Sequence, residues 1–401
     1  MRILFISKFN WQDASPMATI STLSSWSLAQ TGIPVTLLIQ DDQPGDTQKI
    51  LKDRFGLDSI PGYQIRLFQR KKTLFGKNDA FYRYVNEVIA GELKLTRDLV
   101  IITRNTNLLP RLVPYALDRR ITLLFETHGY HGTKTLPGLP PRPRGGVLSA
   151  DSQYGMTERL FLNHFHGLIC ITSPQQALYQ SDGYHLPSVV LPLGSPGVDG
   201  IVLQRPAERA YQQKRLVYAG RYTPHLSVSV LFEALSHVRD LGIRFTWLGL
   251  KPDDFPVVEK WVKTWHLEAV VDLKPWMSHA DMRTYLMTEA SVGLAAYSNT
   301  FRSAAVTSPS KVFDYFSCGL PVIAPDLPTL ADVLESGVSG QLYTPDSVTS
   351  LESAIRTVFQ SERDYERLRD GSLRSAGQYA WLARSQRLID FARSVRTQKK
   401  Q

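Results

Sequence analysis

The feature that most constrains this chain is a recurring alternation of short apolar runs, rich in β-branched and aromatic residues, with helix-like stretches. Ile3 to Ile6, Val35 to Ile39, Leu99 to Thr103, Ile121 to Phe125 and Leu168 to Ile171 form one series. Leu216 to Ala219, Phe245 to Leu248, Ala269 to Leu273, Val292 to Ala295 and Pro321 to Ala324 form a second. Strands buried on both faces read as continuous apolar runs, so each series predicts a parallel sheet covered by helices on both sides. The pattern restarts after residue 213, which predicts two α/β domains. Between them Leu193-Gly194-Ser195-Pro196-Gly197-Val198-Asp199-Gly200 and the polar stretch to Lys214 have the composition of a linker. Domains are therefore expected at 1–195 and 196–378, followed by a terminal helix-like piece at 379–401.

A chain of 401 residues is too long for one small module, and 43% hydrophobic with 21% charged residues suits a soluble chain with a sizeable core. No stretch approaches the ~18 apolar residues that span a bilayer. Met1 to Ile6 turns polar at Ser7 and Lys8, too soon for the core of a signal peptide. The two cysteines, Cys170 and Cys318, offer neither a disulfide framework nor a cysteine zinc site and fit a reducing cytoplasm. The net charge of +9 is spread over both halves and favours anionic partners. Pro137 to Gly146, dense in proline and glycine, predicts a loop.

The stretch most informative about chemistry runs from Ser308-Pro309-Ser310-Lys311 through Asp314-Tyr315 to Gly319-Leu320-Pro321-Val322. Ser308 is expected to cap a helix that starts at Pro309, with Gly319 and Pro321 closing it before a strand. A helix start exposes unpaired N–H groups, so Ser308, Pro309 and Ser310 with Lys311 suit a phosphate. Asp314 falls on the same helix face and can accept hydrogen bonds from a ribose diol; an ordinary surface ion pair with Lys311 is the competing reading. A second phosphate candidate is Gly220-Arg221, directly after the strand Leu216 to Ala219, because ligands of open α/β sheets bind beyond the carboxyl ends of strands. Gly220 permits close approach and Arg221 grips oxygens through two parallel hydrogen bonds.

In combination these stretches resemble the family 4 retaining glycosyltransferases of the GT-B fold, and the resemblance covers nearly the whole chain. The matching segments are Tyr218-Ala219-Gly220-Arg221 with Leu231 to Leu235, Phe245 to Gly249, and Ser308 through Val322. In the first half they are Leu123 to His128, Glu158-Arg159 and Gly167 to Ser173, and later Leu191 to Gly194, Val198-Asp199 and Tyr379-Ala380-Trp381. The resemblance implies two facing doubly wound, Rossmann-like domains, with the terminal helix crossing back to the first and a donor held in the cleft, mostly by the second. It implies that Arg221 and Lys311 neutralise a diphosphate, that Asp314 holds the ribose, that Trp276 lies near the base and that His128 lies near the reacting sugar. The implied reaction moves a sugar from a nucleoside diphosphate sugar to an acceptor hydroxyl, on a glycan or a lipid-linked acceptor, with retention. No further cofactor is implied. The absence of Asp-x-Asp fits metal independence.

The chain also departs from the family. Leu226-Ser227 stands where members carry Lys-Gly, Val306 stands for the first glutamate of a Glu-x7-Glu pair, Asp314 replaces the second, and Ala14-Ser15-Pro16 replaces a Gly-Gly loop. These departures motivate a rival, a non-catalytic nucleotide-sugar or membrane-surface binding protein that binds without turnover. A second rival, a nucleotide-sugar 2-epimerase, would act with no acceptor present.

The pairs His128/His131 and His164/His166 lack a third ligand for a metal. Neither a Gly-x-Ser-x-Gly elbow nor a Gly-x4-Gly-Lys-Ser/Thr loop occurs. Residues 63–77 interleave basic and apolar side chains without an acid, which suits an anionic membrane surface and peripheral attachment on its cytoplasmic side. No nucleic-acid-binding signature accompanies them.

Overall fold

The computed structural model describes residues 1–13, 15–69, 77–132, 150–198, 200–300 and 306–400. They form two compact units: one takes in the described residues up to Pro192 together with Trp381 onward, the other runs from Leu193 to Ala380.

The strands of the first unit are β1 (Arg2–Asn10), β2 (Val35–Asp41), β3 (Tyr63–Gln69), β4 (Leu99–Thr103), β5 (Ile121–Glu126), β6 (Gly167–Cys170) and β7 (Ser188–Val190). They make one parallel sheet in the order β3-β2-β1-β4-β5-β6-β7. The second unit holds β8 (Arg215–Ala219), β9 (Arg244–Leu250), β10 (Val271–Pro275), β11 (Val292–Leu294), β12 (Val322–Pro325) and β13 (Gly340–Tyr343). Their order is β10-β9-β8-β11-β12-β13, again all parallel.

In each sheet the strand order runs outward in both directions from a central strand, so a topological switch point lies between β1 and β4 and between β8 and β11. Crevices at the carboxyl ends of such strands are where open α/β sheets take ligands. The central strands are largely apolar because helices cover both faces: Val100 and Ile102, Leu216, Val217 and Trp247 are all fully buried.

The C-terminal helix, Trp381–Lys400, belongs to the first unit, where Leu388, Ile389, Ala392 and Val395 share a core with Leu28, Leu124 and Ile169. Its far end is fixed by Lys399, whose Nζ donates to the carbonyls of Ala116, Asp118 and Ile121 at 3.0, 3.0 and 2.8 Å.

Three readings of the sequence change. The polar stretch taken as a linker forms two short helices, Gly200–Gln204 and Ala207–Gln212. They are held to the second unit by Arg369, which donates to the carbonyls of Val202 (2.6 Å) and Arg205 (3.1 Å). The first part of the basic stretch is edge strand β3, in which Tyr63 points inward with its hydroxyl 3.0 Å from Ser25 Oγ while Gln64 and Arg66 face outward. Residues 70–76, like the expected loop at 137–146, lie outside the described residues. Ser308 does not cap the helix that follows it. That helix spans Ser310–Ser317 with Pro309 at its N-cap, and Ser308 Oγ instead accepts the Leu193 N–H at 3.0 Å. Among the described residues no helix is long and apolar enough to cross a membrane.

Candidate functional site

In the second unit the site is built where β8 and β11 diverge. The Tyr315 hydroxyl accepts the Ala219 N–H (2.8 Å) and donates to the Leu294 carbonyl (3.1 Å), bridging the two strand ends. The ring lies so close to β11 that a Cβ at Gly293 would overlap it. This anchors the helix Ser310–Ser317 and thereby sets the path of Lys311.

Lys311 crosses over Gly220, where an added Cβ would overlap Lys311 Cε and lie 3.0 Å from Nζ and 3.1 Å from the Tyr218 hydroxyl. The ammonium donates to the Tyr297 hydroxyl at 3.2 Å and sits 5.6 Å from the Tyr218 ring centroid and 5.7 Å from that of Tyr297. Burial disfavours its charge, but Tyr297, Tyr218 and Asp314 outweigh that penalty, and its pKa lies above the ordinary lysine value. Gly220 is fixed in turn: its N–H donates to the Leu248 carbonyl (2.8 Å), and its carbonyl accepts Trp247 Nε1 (2.9 Å). Arg221, the next residue, is exposed; its carbonyl accepts from the Tyr218 hydroxyl at 3.4 Å, while its guanidinium makes no hydrogen bond or ion pair among the described residues.

The two stretches singled out in the sequence thus meet in space, and the pairing within the helix is not the one expected of a surface ion pair. Asp314 accepts from His279 Nε2 at 3.2 Å. Ser310 is exposed at the helix start, and Pro309 is buried. Trp276, 68% exposed, follows β10, with its N–H on the Leu250 carbonyl (2.9 Å). Leu226 and Val306, at positions where the resemblance places polar groups, are both buried.

The first unit adds residues that the sequence did not single out. Glu126 ends β5 fully buried, and Arg384 of the C-terminal helix reaches its Oε1 at 2.7 Å while also donating to the Pro192 carbonyl (2.8 Å) and Ser24 Oγ (3.1 Å). Arg104, directly after β4 and also fully buried, lies 3.4 Å from the same carboxylate oxygen through Nη2. That nitrogen also meets His128 Nδ1 at 2.5 Å.

A guanidinium only donates, so Nδ1 must accept and the ring proton sits on Nε2. Burial, then Arg104, then Arg384 hold the His128 pKa well below the usual histidine range. Neutral His128 therefore offers an N–H from Nε2 rather than a basic nitrogen. Burial pushes Arg104 down to about 10, with Glu126 supporting its charge and Arg384 opposing it. The signal that could have found this group is a charged residue set directly at the carboxyl end of a buried strand, as in Thr103-Arg104 and Phe125-Glu126.

Two doubly wound parallel sheets, with the terminal helix packed on the first, define a GT-B fold. Residues 213–361 match the family described as Glycosyl transferases group 1. Over 166 residues, 40% of this chain, the sequence is 23% identical to chitobiosyldiphosphodolichol beta-mannosyltransferase of Candida albicans; the match spans 36% of that protein, about a third of its length. Among solved structures, sucrose-phosphate synthase of Thermosynechococcus elongatus is similar with TM-score 0.67 and 16% identity, covering 98% of this chain and 99% of that one. The pneumococcal O-GlcNAc transferase GtfA, in complex with UDP and GlcNAc, gives 0.68 and 13% over 98% and 99%. At these identities the likeness is one of fold.

Proposed function

We propose that this protein is a glycosyltransferase that moves a sugar from a nucleoside diphosphate sugar to an acceptor hydroxyl, with retention and without a metal ion. The observation that carries the reading is Lys311 laid across Gly220 beside the exposed guanidinium of Arg221, at the switch point of the second sheet. In the reaction the bond from the anomeric carbon to the diphosphate oxygen breaks, the acceptor oxygen bonds to that carbon and loses its proton, and negative charge collects on the departing phosphate. Two cations already fixed or poised at that phosphate stabilise the charge without reorganisation. Asp314 would accept from the ribose hydroxyls and Trp276 would pack near the base. The match of residues 213–361 supports the reading, and the UDP in the pneumococcal neighbour makes UDP the first nucleotide to try. Retention rests on the resemblance of Ser308 to Val322 to the retaining family.

The test is calorimetric binding of UDP, GDP and ADP to the wild type and to Arg221→Ala and Lys311→Ala at fixed salt. One nucleotide should bind, and each substitution should weaken it by the ~1.5–3 kcal/mol of a charge-assisted contact. Turnover with that donor, and the anomeric configuration of the product by proton NMR, then decide between transfer with retention and binding alone. If no nucleotide binds, the reading fails.

A further inference from the structure

The buried cluster at the switch point of the first sheet is out of balance in a specific way. Two guanidiniums, Arg104 and Arg384, share one carboxylate, Glu126, so a positive charge is left without a counter-ion. Arg384 is fully engaged, with its three nitrogens on Pro192, Ser24 and Glu126. Arg104 is not: its Nε and Nη1 are cut off from solvent and have no acceptor, although its side chain is completely buried.

His128 Nε2, which carries the ring proton, is buried and equally without an acceptor. A buried donor left unmade costs its full desolvation penalty, and an unpaired buried charge costs more, so these groups demand an acceptor that none of the described residues supplies. Every unmatched group on Arg104 and His128 is a donor, which excludes a cation, and the positive charge left over by two guanidiniums on one carboxylate favours an anionic acceptor over a neutral carbonyl. Glu126 Oε2, on the carboxylate that Arg104 and Arg384 share, is buried and has no hydrogen-bond partner among the described residues, and it suits a hydroxyl. His128 as a residue is less covered than Arg104, Glu126 and Arg384, although its Nε2 is itself buried.

We infer that Arg104 and His128 receive an anionic group, a carboxylate or a phosphate, carried by a hydroxylated acceptor such as an acidic or phosphorylated sugar. The inference rests on the reading of the first unit as the acceptor side of a glycosyltransferase, but the anion site can be tested apart from transfer. Bound there, the anion completes the charge balance of Arg104, Arg384 and Glu126, and its neighbouring hydroxyl meets Glu126 Oε2. A sugar lacking the anion leaves the same donors bare and gains nothing from them.

The experiment is calorimetric titration of the full chain, with UDP present and absent, using glucuronate, glucose 6-phosphate and glucose as probes. Wild type, Arg104→Gln and Arg104→Lys are compared, and circular dichroism verifies the fold. At least one anionic probe should bind about ten-fold or more tighter than glucose, and Arg104→Gln should abolish that preference while leaving UDP affinity within about two-fold. Preference for glucuronate alone identifies a carboxylate, and preference for glucose 6-phosphate alone a phosphate.

If Arg104→Gln fails to fold, Arg104→Lys, which keeps the charge but loses the planar fork, should show a weakened preference. The proposal is overturned if the anionic probes bind no better than glucose, or if their preference survives in Arg104→Gln. Failure of UDP to bind while the anion preference holds would remove the transferase reading and keep the anion site.

Discussion

Gly220→Ala tests the central geometric claim of the donor side. The residue lies outside the positive-φ region, and its N–H and carbonyl bonds to Leu248 and Trp247 survive the change, so the backbone tolerates alanine. The new methyl would overlap Lys311 Cε, which belongs to a flexible side chain, so the fold should lose only about 1 kcal/mol or less. The nucleotide should lose much more. Lys311 must leave its place above Gly220, forfeiting a contact of ~1.5–3 kcal/mol, a roughly ten- to 150-fold rise in Kd.

A double-mutant cycle isolates the cause. In a Lys311→Ala background the methyl meets only the Tyr218 hydroxyl, at 3.1 Å, a contact relieved by a few tenths of an ångström, so adding Gly220→Ala should change Kd by less than about 0.5 kcal/mol, and the coupling should approach the whole single-mutant effect. Isothermal titration with the nucleotide that binds wild type measures all four corners. If the two substitutions simply add, Gly220 does not act through Lys311 and the proposed phosphate seat is wrong.

Three further outcomes follow from the same contacts. Glu126→Gln leaves Arg104 and Arg384 buried with no anion between them and should cost ~3–5 kcal/mol, a fall in Tm on the order of 10 °C by differential scanning; a fall of a degree or two would show that the carboxylate is dispensable. Ser308→Ala strips the buried Leu193 N–H of its acceptor and should cost ~1–3 kcal/mol in urea unfolding with nucleotide affinity unchanged; the reverse pattern would put the hydroxyl on the ligand. His166 accepts the Leu123 N–H through Nδ1 (2.9 Å), and burial, then Lys399, push its pKa down to about 4. Between about 6.5 and 4 the unfolded chain binds the proton first, so stability present above 6.5 should drain as pH falls through that window. His166→Gln should flatten the slope of urea midpoint against pH there, and an unchanged slope would reject this assignment.

The sequence announced those elements whose residues must be apolar on both faces. All ten strands read from apolar runs lie in the two sheets, because strands packed under helices on both faces are mostly apolar, their interior polar positions being small hydroxyl residues such as Thr36, Thr122 and Thr246. The strands it hid, β3, β7 and β13, lie at sheet edges: Arg66 interrupts one, and Ser188–Val190 and Gly340–Tyr343 are too short to show a period. The helix at Ser310–Ser317 was legible from Pro309 and Gly319, yet its capping was not, since Ser308 takes a partner distant in sequence. Lys311 and Gly220 were each visible as local chemistry, but their contact exists only through Tyr315 pinned between two strands. Arg104 and Glu126 carried a local signal as charges at the ends of buried strands, but their grouping with Arg384 did not, because the three come from two strand ends and the terminal helix.

The departure at Leu226 gains a physical meaning from the same contacts. Leu226 is buried and bridges to Tyr297, the residue whose hydroxyl receives Lys311. Around it, the Ser227 N–H donates to the Ala296 carbonyl and the Ser298 N–H to that of His225, both at 2.9 Å, so residues 225–227 and 296–298 are stitched together. Compared with the lysine that the resemblance places here, an apolar residue offers no cation but, in the same stroke, packs against the tyrosine that receives Lys311. A preorganised charge stabilises a developing anion without first paying to reorient, so fewer cations held firmly can do the work of more held loosely. A charged side chain at 226 would have to leave the core that packs on Tyr297, and any gain at the proposed phosphate would come with loss of the seat that positions Lys311.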